Sequence, residues 1–232
     1  MIVYVESNFL LEIARQQEDA HSARRILAMA RAGTVRLIFP ALAVSEPFST
    51  LTYYGAERNR FVDGMNRQLR ELGRLGPYKG LATALQPLSQ TLLTIHHQEM
   101  QLLESTVETM LTVGTPIPLT TGLFRDARGF ETQYGLSPQD AIVLSSVLSD
   151  LRRRPRHEPK CFVSRNPKDF DDQAITSALG ASRCRYIAKF SDAVSFLRSP
   201  ASRVSAARDA ATGPHAVGKR QPSETQPQKR RK

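Results

Sequence analysis

The 232-residue sequence has no tryptophan and only two cysteines, Cys161 and Cys184. Two thiols without a paired spacing leave no disulfide framework and no Cys/His zinc site. Each falls in a predicted strand, where a small free thiol is normally buried. A reducing, cytoplasmic setting suits that usage. No apolar stretch approaches the ~20 residues of a membrane helix, so no membrane partner is expected. The opening MIVYVESNFLLE has no basic leader and carries Glu6 early, so it reads as a buried strand rather than a signal peptide. No glycine-rich phosphate loop is present, which disfavours nucleotide-binding folds. Ser45 forms no nucleophile–base pair with a histidine, so serine-hydrolase chemistry lacks its base.

Acids are also scarce: 22 against 32 basic residues, a net charge of +10. The imbalance is uneven. Residues 199–232 hold eight basic side chains and two acids, which is most of the excess. A basic balance suits a polyanionic partner such as nucleic acid, and a solvated charged tail is the plainer alternative. Hydrophobic residues at 41% and charged ones at 23% are the proportions of a globular chain. The length suits one α/β domain with a sizeable core.

Residues 2–5 form a β-branched run and read as a first strand buried on both faces. Asn8 is placed to cap a helix over 9–17, and a second helix fits 21–32 with Gly33 as its stop. A strand over 35–39 is closed by Pro40, and a helix begins near Ala43. From 56 to 113 the pattern is long helices interrupted at Gly76-Pro77 and at Gly80, the second running over 86–111. In the first, Phe61, Met65, Leu69 and Leu72 share one face, with Arg60, Arg67, Arg70 and Arg74 opposite. Pro116 and Pro118 lead into a helix over 122–134. Ser137-Pro138 is a strong start for another over 138–153, Ser as N-cap and Pro as first residue. A strand over 161–163, a turn over 164–169, a strand over 184–188 and a helix over 191–197 complete a domain spanning 1–198. Residues 199–232 read as a disordered basic tail. Strands separated by helices imply a parallel, helix-flanked sheet. Ligands of such sheets sit beyond the carboxyl ends of the strands.

Acids gather at those ends. Glu6 closes the first strand, Glu46 lies early in the helix after the second, and Asp140 is in the first turn of the helix leading to the 161–163 strand. Asn166 and Asp169 follow that strand. Each of the later residues has a structural role available: Asp140 in a capping box, Glu46 at a helix dipole, Asn166 and Asp169 in a turn. Glu6 has none, because a carboxylate ending a buried strand is costly without a partner. Converging carboxylates repel unless a divalent cation neutralises them, and oxygen ligands suit Mg²⁺ or Mn²⁺. Such ions serve phosphodiester hydrolysis.

The segments YVESNFLLE, PALAVSEPFS, YGLSPQDAIVLSSVL and CFVSRNPKDF resemble, in that order, the motif blocks of PIN-domain nucleases. The likeness runs from about residue 1 to 197. It implies a three-layer α/β/α sandwich with a central parallel sheet, here with an extended helical middle region. It also implies Mg²⁺- or Mn²⁺-dependent cleavage, usually of RNA. Carried over by position, Glu6 and Asp140 are the principal metal ligands, and Glu46 is a further metal-site acid. Ser164 and Asn166 orient ligands and water. Asp169 is the fourth acid, with Asp171 in reserve. Asn8 stands where the family often keeps an asparagine. Glu6 departs from the family's usual Asp by one methylene, which an adapted site must absorb. Toxins of toxin–antitoxin pairs and homodimers are common in the family, so an antitoxin and a second copy are implied partners. The alternative is a PIN-like module that holds RNA or protein without cutting. His96-His97, on adjacent helix positions, reads as a surface pair.

Overall fold

A computed structural model of the protein describes residues 1–199. The tail expected beyond them lies outside the described residues. The elements in chain order are β1 (Ile2–Val5), α1 (Ser7–Ala14), α2 (Ala20–Arg31), β2 (Arg36–Pro40), α3 (Leu42–Arg74), α4 (Lys79–Val113) and β3 (Gly114–Ile117), followed by α5 (Thr121–Tyr134), α6 (Pro138–Leu151), β4 (Lys160–Val163), α7 (Pro167–Phe170), α8 (Gln173–Gly180), β5 (Cys184–Ile187) and α9 (Phe190–Arg198). The five strands form one sheet in the order β3-β2-β1-β4-β5, parallel throughout. No helix among the described residues is long and apolar enough to cross a membrane.

The strands' period of two divides their side chains between two apolar clusters. Val3, Val5, Leu37, Phe39, Cys161 and Val163 pack with Phe9, Leu10, Ile26, Leu103, Met110 and Phe190. Ile2, Tyr4, Ile38, Ile117, Phe162 and Cys184 pack with Leu123, Leu144, Val147, Phe170, Ile175 and Leu179. Both faces of the sheet are therefore covered, as the unbroken apolar run of β1 predicts. The cysteines are buried and free.

Several boundaries differ from those the sequence suggests. The N-cap of α1 is Glu6; Asn8 lies one residue inside the helix and donates its backbone N–H to the Glu6 carboxylate. Gly80 does not interrupt α4. The break is a single 3₁₀ turn at Gly76–Tyr78, and α4 starts directly after it. Residues 114–117 are a strand, not a lead-in loop. Pro116 hides it from pattern reading, but β3 is an edge strand, where a missing N–H is tolerated. Gly114 is required there by crowding, since a Cβ would sit 2.8 Å from the Phe39 ring and 2.9 Å from the Met110 carbonyl oxygen.

The middle helices fold back on each other as an antiparallel hairpin. Its seam is partly polar. The Arg58 guanidinium donates to both Glu99 oxygens, at 2.6 and 2.9 Å, and Ser89 donates to Asn66 Oδ1 at 2.7 Å. His97 is exposed, but His96 is not the surface residue its neighbourhood suggests. It is half-buried, with Nδ1 shielded and its ring lodged against Gly55. A Cβ on Gly55 would come within 2.4 Å of that ring. Gly55→Ala is expected to lower stability by about 1–3 kcal/mol in denaturant titration, because the helices must part or the ring must leave. Gly64, on the same helix with nothing within 4 Å of its would-be Cβ, is the control. Gly64→Ala should raise stability by roughly 0.5–1 kcal/mol.

Candidate active site

β1 lies between β2 and β4, all parallel, so the carboxyl ends of these strands open on one edge. Glu6 is the first residue past β1. As N-cap it accepts from the Asn8 backbone N–H and the Ser7 hydroxyl, both at 2.9 Å on Oε2. The residue is only 4% exposed, and Oε1 has no hydrogen-bond partner. Burial pushes its carboxyl up, against the opposing pull of the Asn8 amide and the Ser7 and Ser164 hydroxyls.

Glu46 is the fifth residue of α3 and half-buried. Burial raises its carboxyl, the Ser7 hydroxyl lowers it, and the charge of Asp140 raises it again. Ser7 therefore stands between two acids, Glu6 and Glu46. Asp140 sits in the first turn of α6, whose N-cap Ser137 accepts the Asp140 backbone N–H at 3.2 Å and donates its hydroxyl to Asp140 Oδ2 at 2.5 Å. Burial raises the Asp140 carboxyl, with Asp169 adding repulsion, while Ser137 and the Asn166 amide oppose. Asp140 thus fills its capping role and faces two other acids as well.

The fourth corner is the turn after β4. Ser164 is fully buried. It accepts the Asn166 backbone N–H at 3.0 Å, and its carbonyl accepts the Tyr186 hydroxyl at 2.9 Å. Asn166 Nδ2 donates to Asp169 Oδ2 at 2.5 Å. The contacts run from Glu6 through Ser7 to Glu46 and from Ser164 through Asn166 to Asp169, with Asp140 facing both Glu46 and Asp169. Asp171 is placed differently. It is exposed and lines a separate cavity of about 540 Å³ with His157, Arg183 and Tyr186.

Pattern reading missed the parts that brace these acids. Ser7 is one. Glu12, only 2% exposed, is another: its carboxylate accepts from the Arg165 guanidinium at 3.1 Å and from the Asp19 backbone N–H at 2.6 Å. Arg165 lies between Ser164 and Asn166, so this pair anchors the acidic turn to α1. The available signal is an acid inside the apolar run FLLEIA, the same anomaly that marks Glu6.

A scan against protein-family models matches none, and comparison with curated proteins and with solved structures finds no significant match.

Glu6, Glu46 and Asp140 are all pushed up by folding. Their penalty is absent below the unfolded carboxylate value of roughly 4 and complete above the raised folded values. Glu6→Gln should therefore gain on the wild type in melting temperature as pH rises from about 4 towards neutrality. Added Mn²⁺ or Mg²⁺ should raise the wild-type midpoint and leave Asp140→Asn unmoved. Parallel curves for wild type and Glu6→Gln across that range would show that the Glu6 charge is not penalised.

Proposed function

We propose that the chain is a metal-dependent nuclease of the PIN type, cleaving RNA. The observation that carries this is the unpartnered Glu6 Oε1, buried at the carboxyl edge of a parallel sheet where Glu46, Asp140 and Asp169 also lie. A buried carboxylate oxygen without a donor is costly unless a cation meets it. The apolar clusters on the two faces of the sheet support the three-layer α/β/α reading of the fold. A cytoplasmic setting fits the two free thiols.

The donor set is all hard oxygen, which fits Mg²⁺ or Mn²⁺. Glu6 and Asp140 would hold the ion, with Glu46 beside them. Among the described residues no three His, Cys, Asp or Glu side chains lie close enough to share one ion. That spacing suits Mg²⁺, which is commonly bound through one or two carboxylates and otherwise by water. When bound, the ion supplies charge neutralisation, a more acidic water and stabilisation of the leaving oxygen. Glu46 is half-buried and burial raises its carboxyl; as a carboxylate it would accept the proton of the attacking water. Ser7 holds the space between Glu46 and Glu6. Asn166 orients Asp169, and Ser164 orients Asn166.

A track for the substrate leaves these acids along α3. A cavity of about 460 Å³ is lined by Ser45, Glu46, Ser49, Thr50, Tyr53 and Gln139 among others. Its hydroxyls suit phosphate oxygens, and the Tyr53 ring, 60% exposed, suits an unpaired base. By the same resemblance, a small co-encoded antitoxin would block the acidic edge if the protein is the toxin of such a pair. The wide spacing of the acids is also the observation that favours the other reading, a PIN-like module that binds RNA or protein without cutting.

Labelled single-stranded RNA and DNA, incubated with Mn²⁺, Mg²⁺ or EDTA, separate these readings. RNA should be cut in metal and spared in EDTA, with Asp140→Asn and Glu6→Gln at least about a hundredfold slower. Glu6→Asp should lose activity if the site has adapted to the longer side chain. Metal-independent cutting, or equal cutting by Asp140→Asn, would falsify the site. In EDTA, Tyr53→Ala should weaken single-stranded RNA binding roughly tenfold while Tyr53→Phe keeps it.

A further inference from the structure

The sheet has two outer edges, β3 and β5, and they are finished differently. In a parallel ladder the N–H and C=O of one residue point to the same side, and those of the next residue point to the other. On β3 the Ile117 carbonyl accepts the Ala41 N–H, so Ile117 and Thr115 face β2 and Pro116 faces outward. Pro116 has no N–H to offer there, which blunts that edge against a further strand. On β5 the Ile187 carbonyl accepts the Ser164 N–H, so Ile187 and Arg185 face β4. Tyr186, between them, turns its N–H and C=O outward, and no described residue hydrogen-bonds to either. One edge is closed by a proline, and the other is left open.

Two hollows flank the open edge. The larger, of about 540 Å³, is lined by Pro159, Thr176, Arg183 and Phe196 among others. The smaller, of about 420 Å³, is lined by Ile187, Ala188 and Phe196 among others. Arg185 and Tyr186 line both, so the hollows meet along β5. Arg183 and Arg185 are exposed, and neither has an acidic partner among the described residues. Arg183 also holds a φ of +54°, in the left-handed region that costs any residue with a Cβ. The edge thus offers strand hydrogen bonds, apolar walls and unpaired positive charge together. Arginines on an edge deter a basic strand and admit an acidic one.

We propose that β5 takes an extended acidic segment of another protein as a sixth strand of the sheet. Main-chain bonds to Tyr186 would hold it, its apolar side chains would enter the hollows, and its carboxylates would meet Arg183 and Arg185. Charge singles out this occupant. Ser199 lines the smaller hollow, but the residues that follow it, 200–232, carry eight basic side chains and two acids. A second copy would bring a second pair of arginines to the same edge. Both are repelled where an acidic strand is attracted. A nucleic acid would answer the arginines but not the outward N–H and C=O of a strand. The inference rests on the β5 edge alone and stands whether or not the acids beyond β1 cut nucleic acid.

The probe is a short fluorescein-labelled peptide of alternating valine and glutamate, read by anisotropy on the full chain. It should bind with a Kd between about 1 and 100 µM, and its valine–lysine counterpart at least about tenfold more weakly. N-methylation of one alternate set of its residues should abolish binding, and of the other set should leave it, because only one set of N–H groups faces β5. Hydrogen exchange followed by NMR should find the Tyr186 amide open in the chain alone and protected in the complex. Arg183→Gly removes one cation at a φ that glycine adopts freely. It should not lower the melting temperature and, like Arg185→Glu, should weaken binding roughly tenfold. Lys79→Glu, at the start of α4, should bind as the wild type does. No binding below about 1 mM overturns the proposal, as does equal binding of the lysine peptide or of the two N-methylated forms. So does a Tyr186 amide that stays open in the complex, or one already protected in the chain alone, which gives the edge to residues 200–232 or to a second copy. Displacement of the peptide by single-stranded RNA gives the arginines to nucleic acid and likewise overturns it.

Discussion

The structure turns on one unfavourable placement, a carboxylate at the end of a strand buried on both faces. β1 is the middle of the sheet, and its four residues are wholly buried. Glu6 follows at once, where little water can reach it. Its Oε2 is satisfied by the start of α1 and by Ser7. Its Oε1 is left without a donor. At the same edge of the sheet lie further acids rather than a base, from α3, from α6 and from the turn after β4. Stability alone would set an arginine or a lysine there. Buried cations are available to this fold elsewhere: Lys160 is buried and held by the carbonyls of Pro155, Glu158 and Ser182. That buried cation and the acids are thus kept apart.

Much of this was legible in the sequence, for identifiable reasons. The parallel sheet followed from apolar strands alternating with helices, and β1 and β4 carry side chains that suit burial on both faces. The N-cap of α6 followed from Ser137-Pro138, and Ser137 fills it. Glu6 stood out because an acid there contradicts its surroundings. What escaped had weak or misleading local signals. β3 contains a glycine and a proline and is held by its neighbours, not by propensity. Asn8 is the better capping residue by type, yet the helix begins at Ser7 and the Glu6 side chain reaches forward to accept the N–H of Asn8 itself. His96 looked like half of a surface pair because the notch that receives it is made by Gly55, forty-one positions away in the chain. The pairing of Glu12 with Arg165 joins residues 153 apart, and no local pattern announces such a contact.

The hairpin shows the opposite balance. Its helices were plain in the sequence, and their mutual seam is specified by polar contacts as much as by apolar ones. Asn66 with Ser89, and Arg58 with Glu99, act as register marks, because a slip of the antiparallel pair would strand these groups without partners. The hairpin thus has one face whose alignment is enforced and another that is smooth and uncharged.

Helix α1 deserves to be read as a gauge. Its first turn is fastened to Glu6, and its second turn, through Glu12, is fastened to Arg165 of the acidic turn. An eight-residue helix spans only about 12 Å, and it is rigid over that distance. The ends of β1 and β4 are held side by side by their own pairing, Val5 beside Val163, and α1 adds a second tie through Glu12 and Arg165. The long hairpin enters this measure only at its base, where Glu46 sits. Its far end can lengthen or shorten by whole helical repeats while Glu46, near the base of the hairpin, keeps its place beside Ser7.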